Sequence, residues 1–226
     1  PDAATGNLIA LDDDISYEDA SCLPVAYGTA HRMMFTRGRV TGDDTVLVLG
    51  ASGGVGSCAV LLAKQVGARV IAAAGSDEKC EQLVALGADE TINYNEVDFA
   101  KYCREHTGSL FSGGGYDVVV NFTGGDTWPK SLRCVKLGGR VLTCGATAGY
   151  DPQTDLRFIW TAEMDIRGSN GWKSEDLTAL LGMVKSGDLV PAIDSVVPLA
   201  EGVEAHRALE ERRFFGKIVL TSDAPT

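Results

Sequence analysis

The run Thr45-Val-Leu-Val-Leu49 leads directly into Gly50-Ala-Ser-Gly53-Gly54-Val-Gly56. A strand-length apolar run without polar alternation belongs in a parallel sheet covered on both faces. The stretch 54–66, with Val55, Ala59, Leu62 and Val66 on one side, reads as a helix, and 69–73 reads as the next strand. Glycine at such a turn permits positive φ and lets the backbone approach a ligand closely, while Gly56 lets the helix lie against the sheet. Free N–H groups at the helix start then meet an anion. Strand, glycine turn, helix and second strand at this spacing predict that residues 45–89 form a dinucleotide-binding βαβ unit. Gly50, Gly53, Gly54 and Gly56, with Ser52 and Val55 between them, are expected to cradle a pyrophosphate.

The rhythm continues along the chain. Helices are expected at 77–86, stopped by Gly87, at 98–106, and at 128–135, the last ended by Gly138-Gly139. Strands are expected at 90–94, 116–121, 140–144 and 164–168. Strands alternating with helices at this spacing imply an α/β fold with a doubly wound parallel sheet. Residues 1–16 read as loop, and 17–35 as two short helices interrupted near Pro24. After Gly171 the pattern changes: a helix at 174–186, a short extended piece between Pro191 and Pro198, a helix at 198–212 and a last strand at 217–221.

The 226 residues carry 31 acidic and 20 basic side chains, a formal net charge of −11. That balance argues against nucleic acid and anionic membranes as partners. No apolar run approaches the roughly 20 residues that span a bilayer, and no signal peptide opens the chain, so a cytoplasmic protein is expected. The 6 cysteines are scattered without a C-x-x-C pair or zinc spacing and read as reduced, buried side chains. His31, His106 and His206 read as surface or helix-packing residues, and no Ser/His/Asp arrangement can be argued.

Nucleotide choice is read at the end of the second strand, where an acidic residue would bond the ribose hydroxyls of NAD. This sequence has Ala72-Ala-Ala74-Gly75-Ser76 there, with Lys79 one turn into the next helix. Ser76 is also a helix N-cap, and a capped N-terminus remains an anion site. Asp77 and Glu78 count mildly against a nearby phosphate. The reading favours NADPH over NADH.

These residues carry a pattern that resembles the medium-chain dehydrogenase/reductase superfamily, and within it the quinone oxidoreductase-like branch. The matching stretches are Leu23-Pro-Val-Ala-Tyr-Gly-Thr-Ala30, Val48-Leu-Gly-Ala-Ser-Gly-Gly-Val-Gly56 and Gly75-Ser-Asp-Glu-Lys79. Leu86-Gly-Ala-Asp89, Ile92-Asn-Tyr94, Gly124-Gly-Asp-Thr-Trp128 and Gly216-Lys-Ile-Val-Leu220 match as well. The resemblance implies a Rossmann domain over 29–170, preceded at 1–28 and followed at 171–226 by pieces of a GroES-like catalytic domain. Most of that second domain would precede Pro1. The resemblance also implies that Lys79 and Tyr94 flank the adenosine 2′-phosphate. It implies that Thr29, Thr123 and Cys144-Gly145-Ala146-Thr147 lie along the nicotinamide half. Asn121 and Phe122 depart from the family's usual residues.

Zinc-dependent relatives have a ligand cysteine just ahead of the threonine matched by Thr29. This sequence reads Pro24-Val-Ala-Tyr-Gly28 there, and Cys22 is three residues too early, so no metal site is expected. The branch implies hydride transfer from NADPH to a quinone or an α,β-unsaturated carbonyl, with no catalytic side chain assigned. A zinc-dependent alcohol dehydrogenase, a nucleotide-binding module without turnover and an enoyl-reductase domain of a larger synthase stay open. A small-molecule substrate and a homodimer paired through the strand Asp165-Ile-Arg-Gly168 are expected.

Overall fold

The computed structural model describes residues 8–222, so the first part of the expected amino-terminal loop lies outside the described residues. The chain passes from loop into α1 (Tyr17–Cys22), a π turn (Leu23–Tyr27), α2 (Gly28–His31) and a second π turn (Arg32–Arg37). The expected break at Pro24 is absent, and 17–37 is continuous helical chain. Pro24 has no N–H for the Ala20 carbonyl, which accepts from Leu23 instead, and Gly28 N–H reaches the Leu23 carbonyl in a widened turn.

The βα units follow: β1 (Thr45–Leu49), α3 (Gly54–Gln65), β2 (Arg69–Ala74), α4 (Asp77–Ala85), β3 (Glu90–Asn93), α5 (Phe99–Thr107), β4 (Tyr116–Val120), α6 (Thr127–Leu132), β5 (Val135–Thr143), α7 (Leu156–Thr161) and β6 (Asp165–Gly168). The carboxy-terminal part adds α8 (Ser174–Ser186), β7 (Ile193–Pro198), α9 (Gly202–Glu210) and β8 (Lys217–Thr221). Two sequence boundaries need correction. The helix expected at 128–135 stops at Leu132, where Cys134 N–H turns back to the Ser131 carbonyl. Val135 already pairs with Tyr116, so β5 starts five residues early and carries Gly138 and Gly139 through an irregularity in register. Helix α7 was not foreseen.

The six strands form one parallel sheet in the order β3-β2-β1-β4-β5-β6. This is the doubly wound Rossmann arrangement, and its order reverses between β1 and β4. Alternation along β1 divides the core: Val46 and Val48 face one buried cluster with Ala59, Val60 and Ala63 of α3, while Leu47 and Leu49 face another with Phe99 and Leu132. A third cluster joins Leu23, Tyr27 and Ala30 to Leu62, Leu180 and Val219. Strands β7 and β8 form a separate parallel pair connected through α9.

Candidate functional site: the carboxyl ends of β1, β2, β4 and β5

The turn after β1 is shaped by its glycines. Gly50 has φ +65°, and Gly53 N–H closes the turn on the Gly50 carbonyl at 3.2 Å. A Cβ on Gly56 would stand 2.3 Å from the Gly50 oxygen and 2.6 Å from Ala51 Cα, both backbone atoms, so only glycine lets α3 start here. Gly53 caps α3 without a side chain, and a Cβ added to it would find only the Gly50 oxygen, at 3.7 Å. The first turn of α3 contains no acidic residue. The result is an open cradle of backbone amides at the positive end of a twelve-residue helix, suited to a doubly charged diphosphate. Ser52 and Gly53 are also tied from outside the unit: Gly216 N–H donates to the Ser52 carbonyl at 2.8 Å, and Gly53 bridges Gly216.

At the end of β2, Ala74 is fully buried and no carboxylate follows it directly. Ser76 Oγ accepts from Lys79 N–H at 3.3 Å, capping α4 as expected. Lys79 Nζ donates to the Arg212 carbonyl at 2.6 Å and stands 5.6 Å from the centre of the Phe214 ring. Ser76, Lys79, Arg212, Arg213 and Phe214 line a cavity of about 390 Å³ together with the carboxylates of Glu78 and Asp194. Burial, followed by the neighbouring Arg212 charge, lowers the Lys79 ammonium below its ordinary pKa. Asp77 is held aside by Asn93 Nδ2 at 2.8 Å and lines none of this cavity. Tyr94 belongs to the adjoining cavity of about 260 Å³, with Gly50, Phe99, Thr123 and Lys130. Its hydroxyl would stand 2.7 Å from a Cβ at Gly75, so glycine there makes room for it. Arg212 lines both cavities and joins the two groups of residues.

The turn after β4 is tied to the start of α6 through Asn121. This fully buried amide accepts Thr123 N–H and Gly124 N–H at 2.9 and 3.0 Å through Oδ1, and donates through Nδ2 to Thr127 and Ser131 Oγ atoms. The following turns exchange backbone bonds, Ala148 N–H to the Thr123 carbonyl and Thr147 N–H to that of Phe122. Gly145 and Ala146 line a cavity of about 440 Å³ with Thr143, Trp128 and Tyr150. Cys144 packs against the core, and burial pushes its thiol up to about 11. Thr147 is exposed, and Thr29 lies half-buried in α2; neither lines these three cavities. Cys22 is buried and free, as are four of the other five cysteines, the sixth being half-buried Cys144.

Sequence reasoning passed over Arg212, Arg213 and Phe214, whose basic and aromatic run ahead of Gly216 was the available signal. It also missed the organising role of Asn121, visible only as a departure from the family pattern.

Comparison with known proteins places this arrangement. The model of the zinc-binding dehydrogenase family matches residues 54–186. The chain is 30% identical over 225 residues to quinone oxidoreductase-like protein 2 of Bos taurus, covering 95% of the chain and 63% of that protein. Among solved structures, an NAD-dependent alcohol dehydrogenase superposes with TM-score 0.85 at 38% identity, covering 96% of the chain and 62% of the other. The 2-octenoyl-CoA carboxylase reductase CinF, in complex with NADP and 2-octenoyl-CoA, superposes with TM-score 0.86 at 33% identity, over 96% and 52%. The chain thus spans about six-tenths of the length of the bovine relative, and no helix among the described residues is long and apolar enough to cross a membrane. The chain belongs to the zinc-binding dehydrogenase family of the medium-chain dehydrogenase/reductase superfamily, in its quinone oxidoreductase-like branch.

Proposed function

We propose that this chain holds NADPH for an oxidoreductase that delivers hydride to a quinone or an α,β-unsaturated carbonyl compound. The observation that carries the NADPH reading is the Ser76, Lys79, Arg212 and Arg213 cavity beside a strand end without a carboxylate. A 2′-phosphate suits those donors, whereas NAD recognition calls for an acidic side chain at that strand end. The glycine turn suits the cofactor's diphosphate and the basic cavity its 2′-phosphate. The amides of Ser52, Gly54, Val55 and Gly56 would meet the pyrophosphate in the turn that Gly53 closes; Ser76, Lys79 and Arg212 would take the 2′-phosphate, with Tyr94 at the adenosine. Thr29, Thr123, Cys144, Gly145, Ala146 and Thr147 border the nicotinamide half.

When bound, the reduced nicotinamide supplies the hydride. The chain's own residues bind, orient and exclude water, which raises the effective concentration of the reacting pair. Asn121 holds the turn after β4, and backbone bonds from Thr147 and Ala148 to Phe122 and Thr123 join that turn to the one after β5, so the two walls of the nicotinamide half are set relative to one another. An electron-poor conjugated acceptor is supported by CinF, whose structure holds 2-octenoyl-CoA, a conjugated thioester. Division at 28 and 170 into a cofactor domain flanked by catalytic-domain segments, and homodimerisation through β6, belong to the same reading.

Paired titration with NADPH and NADH, followed by nicotinamide fluorescence, tests it. NADPH is expected to bind more tightly, and Lys79→Ala to weaken NADPH alone by about 1–3 kcal/mol. Equal affinities for both nucleotides would overturn the assignment.

A further inference from the structure

The turns after β4 and β5 divide two spaces. Thr123 and Ala148, joined by a backbone hydrogen bond of 2.7 Å, line the cavity that contains Tyr94. Their neighbours Gly124 and Gly149 line the cavity of about 440 Å³, a volume within the roughly 300–1,000 Å³ of small-molecule sites. One side of this second cavity is an arch formed by residues 149–154, and the arch is pinned at both ends. At one end Gly125 N–H donates to the Gly149 carbonyl at 3.1 Å; at the other the Trp128 indole N–H donates to Thr154 Oγ1 at 3.0 Å. The fold therefore sets the shape of the cavity.

The lining has a consistent chemistry. Asp151 supplies its one charged side chain, and that carboxylate makes no hydrogen bond or ion pair with the described residues. Trp128 and Tyr150 supply two aromatic rings. Tyr150 is 92% exposed, so packing gives no reason for a large ring at the arch. The single donor of Trp128 is taken by Thr154, which leaves its π faces as the means of recognition. Aromatic faces are electron-rich and attract cations, and a carboxylate beside them adds a counter-charge. An anionic ligand would meet no basic side chain here. We propose that this cavity binds an organic cation, with an alkylammonium group seated between Trp128 and Tyr150 and Asp151 as its counter-ion. The net charge of −11 favours the approach of such a ligand. The site is separate from the one proposed for NADPH and does not depend on that reading.

Titration of the chain with choline and with 3,3-dimethylbutan-1-ol, its uncharged carbon isostere, tests the site. Ionic strength is held constant with sodium chloride, and binding is followed by the NMR shift of the Trp128 indole N–H. Choline is expected to saturate the site and to bind about 3- to 10-fold more tightly than the isostere. Asp151→Asn should remove that preference, and Tyr150→Ala should weaken choline binding by about 3-fold or more. Both side chains are exposed, so either variant should keep the parent's Tm and its affinity for NADPH. Lack of saturation, equal affinity for the two probes, a preference that survives Asp151→Asn, or choline binding indifferent to Tyr150→Ala would each overturn the proposal. Loss of NADPH affinity in either variant would assign the arch to the cofactor site and overturn it as well.

Discussion

Gly216 donates its backbone N–H to the carbonyl oxygen of Ser52 at 2.8 Å, so the start of the last strand holds the glycine turn that follows the first. Gly216 has φ +75°, and a Cβ there would stand 2.1 Å from the Ala192 carbonyl oxygen. Gly216→Ala is therefore expected to lower stability by about 1–3 kcal/mol, through backbone strain and displacement of the β7–β8 pair. Urea unfolding measures the loss. A variant as stable as the parent would show that this junction yields freely.

Gly53 and Gly56 are three residues apart and have different roles. Gly56→Ala places a methyl group against two backbone atoms that cannot move aside, so a stability loss of about 1–3 kcal/mol is expected. Gly53 has φ −87° and ψ 173°, a conformation open to any residue, and its added Cβ meets only an ordinary contact. Gly53→Ala should fold with stability within about 1 kcal/mol of the parent yet bind NADPH more weakly, because the methyl group projects into the amide cradle. Thermal melts with and without NADPH separate the two effects, and equal behaviour of both variants would contradict this division.

Asp98 caps α5, accepting from Ala100 and Lys101 N–H groups, and its carboxylate lies 2.7 Å from Lys130 Nζ. The Lys130 hydrogen bond, only partly opposed by burial, lowers its pKa below the ordinary carboxylate value of 3.8. A carboxylate with a lowered folded-state pKa adds stability above its unfolded value, which is lost as pH falls through the folded value. Asp98→Asn can still cap the helix but lacks the charge. The gap in Tm between parent and variant should be largest near neutral pH and shrink as pH drops below about 4. A gap independent of pH would show that capping alone accounts for the residue. Both groups are well exposed, so the gap is expected to be small.

The β1–α3–β2 unit was legible because its determinants are consecutive: an unbroken apolar run, glycines at the turn, one apolar helix face and a second apolar run. Ser76 could be read for the same reason, since an N-cap bonds a neighbour three residues away. The same local reasoning failed where longer-range geometry prevailed. Pro24 looked like a break, but a widened turn carries the helix through it. Val135 looked helical, but Tyr116 across the sheet draws it into β5.

The tertiary structure alone decided which distant residues complete the site. Arg212 reaches Lys79 from the far end of the chain, in a positive-φ conformation of +58° that no local pattern in its neighbours announces. Asn121, a departure from the family pattern in the sequence, becomes a buried hub that ties the turn after β4 to α6. Ser169 is an ordinary serine until the fold encloses its hydroxyl and leaves it unpaired. Periodicity and turn chemistry are properties of neighbours and are written locally. Burial and long-range pairing depend on the whole chain closing around a residue, and no stretch of sequence states them.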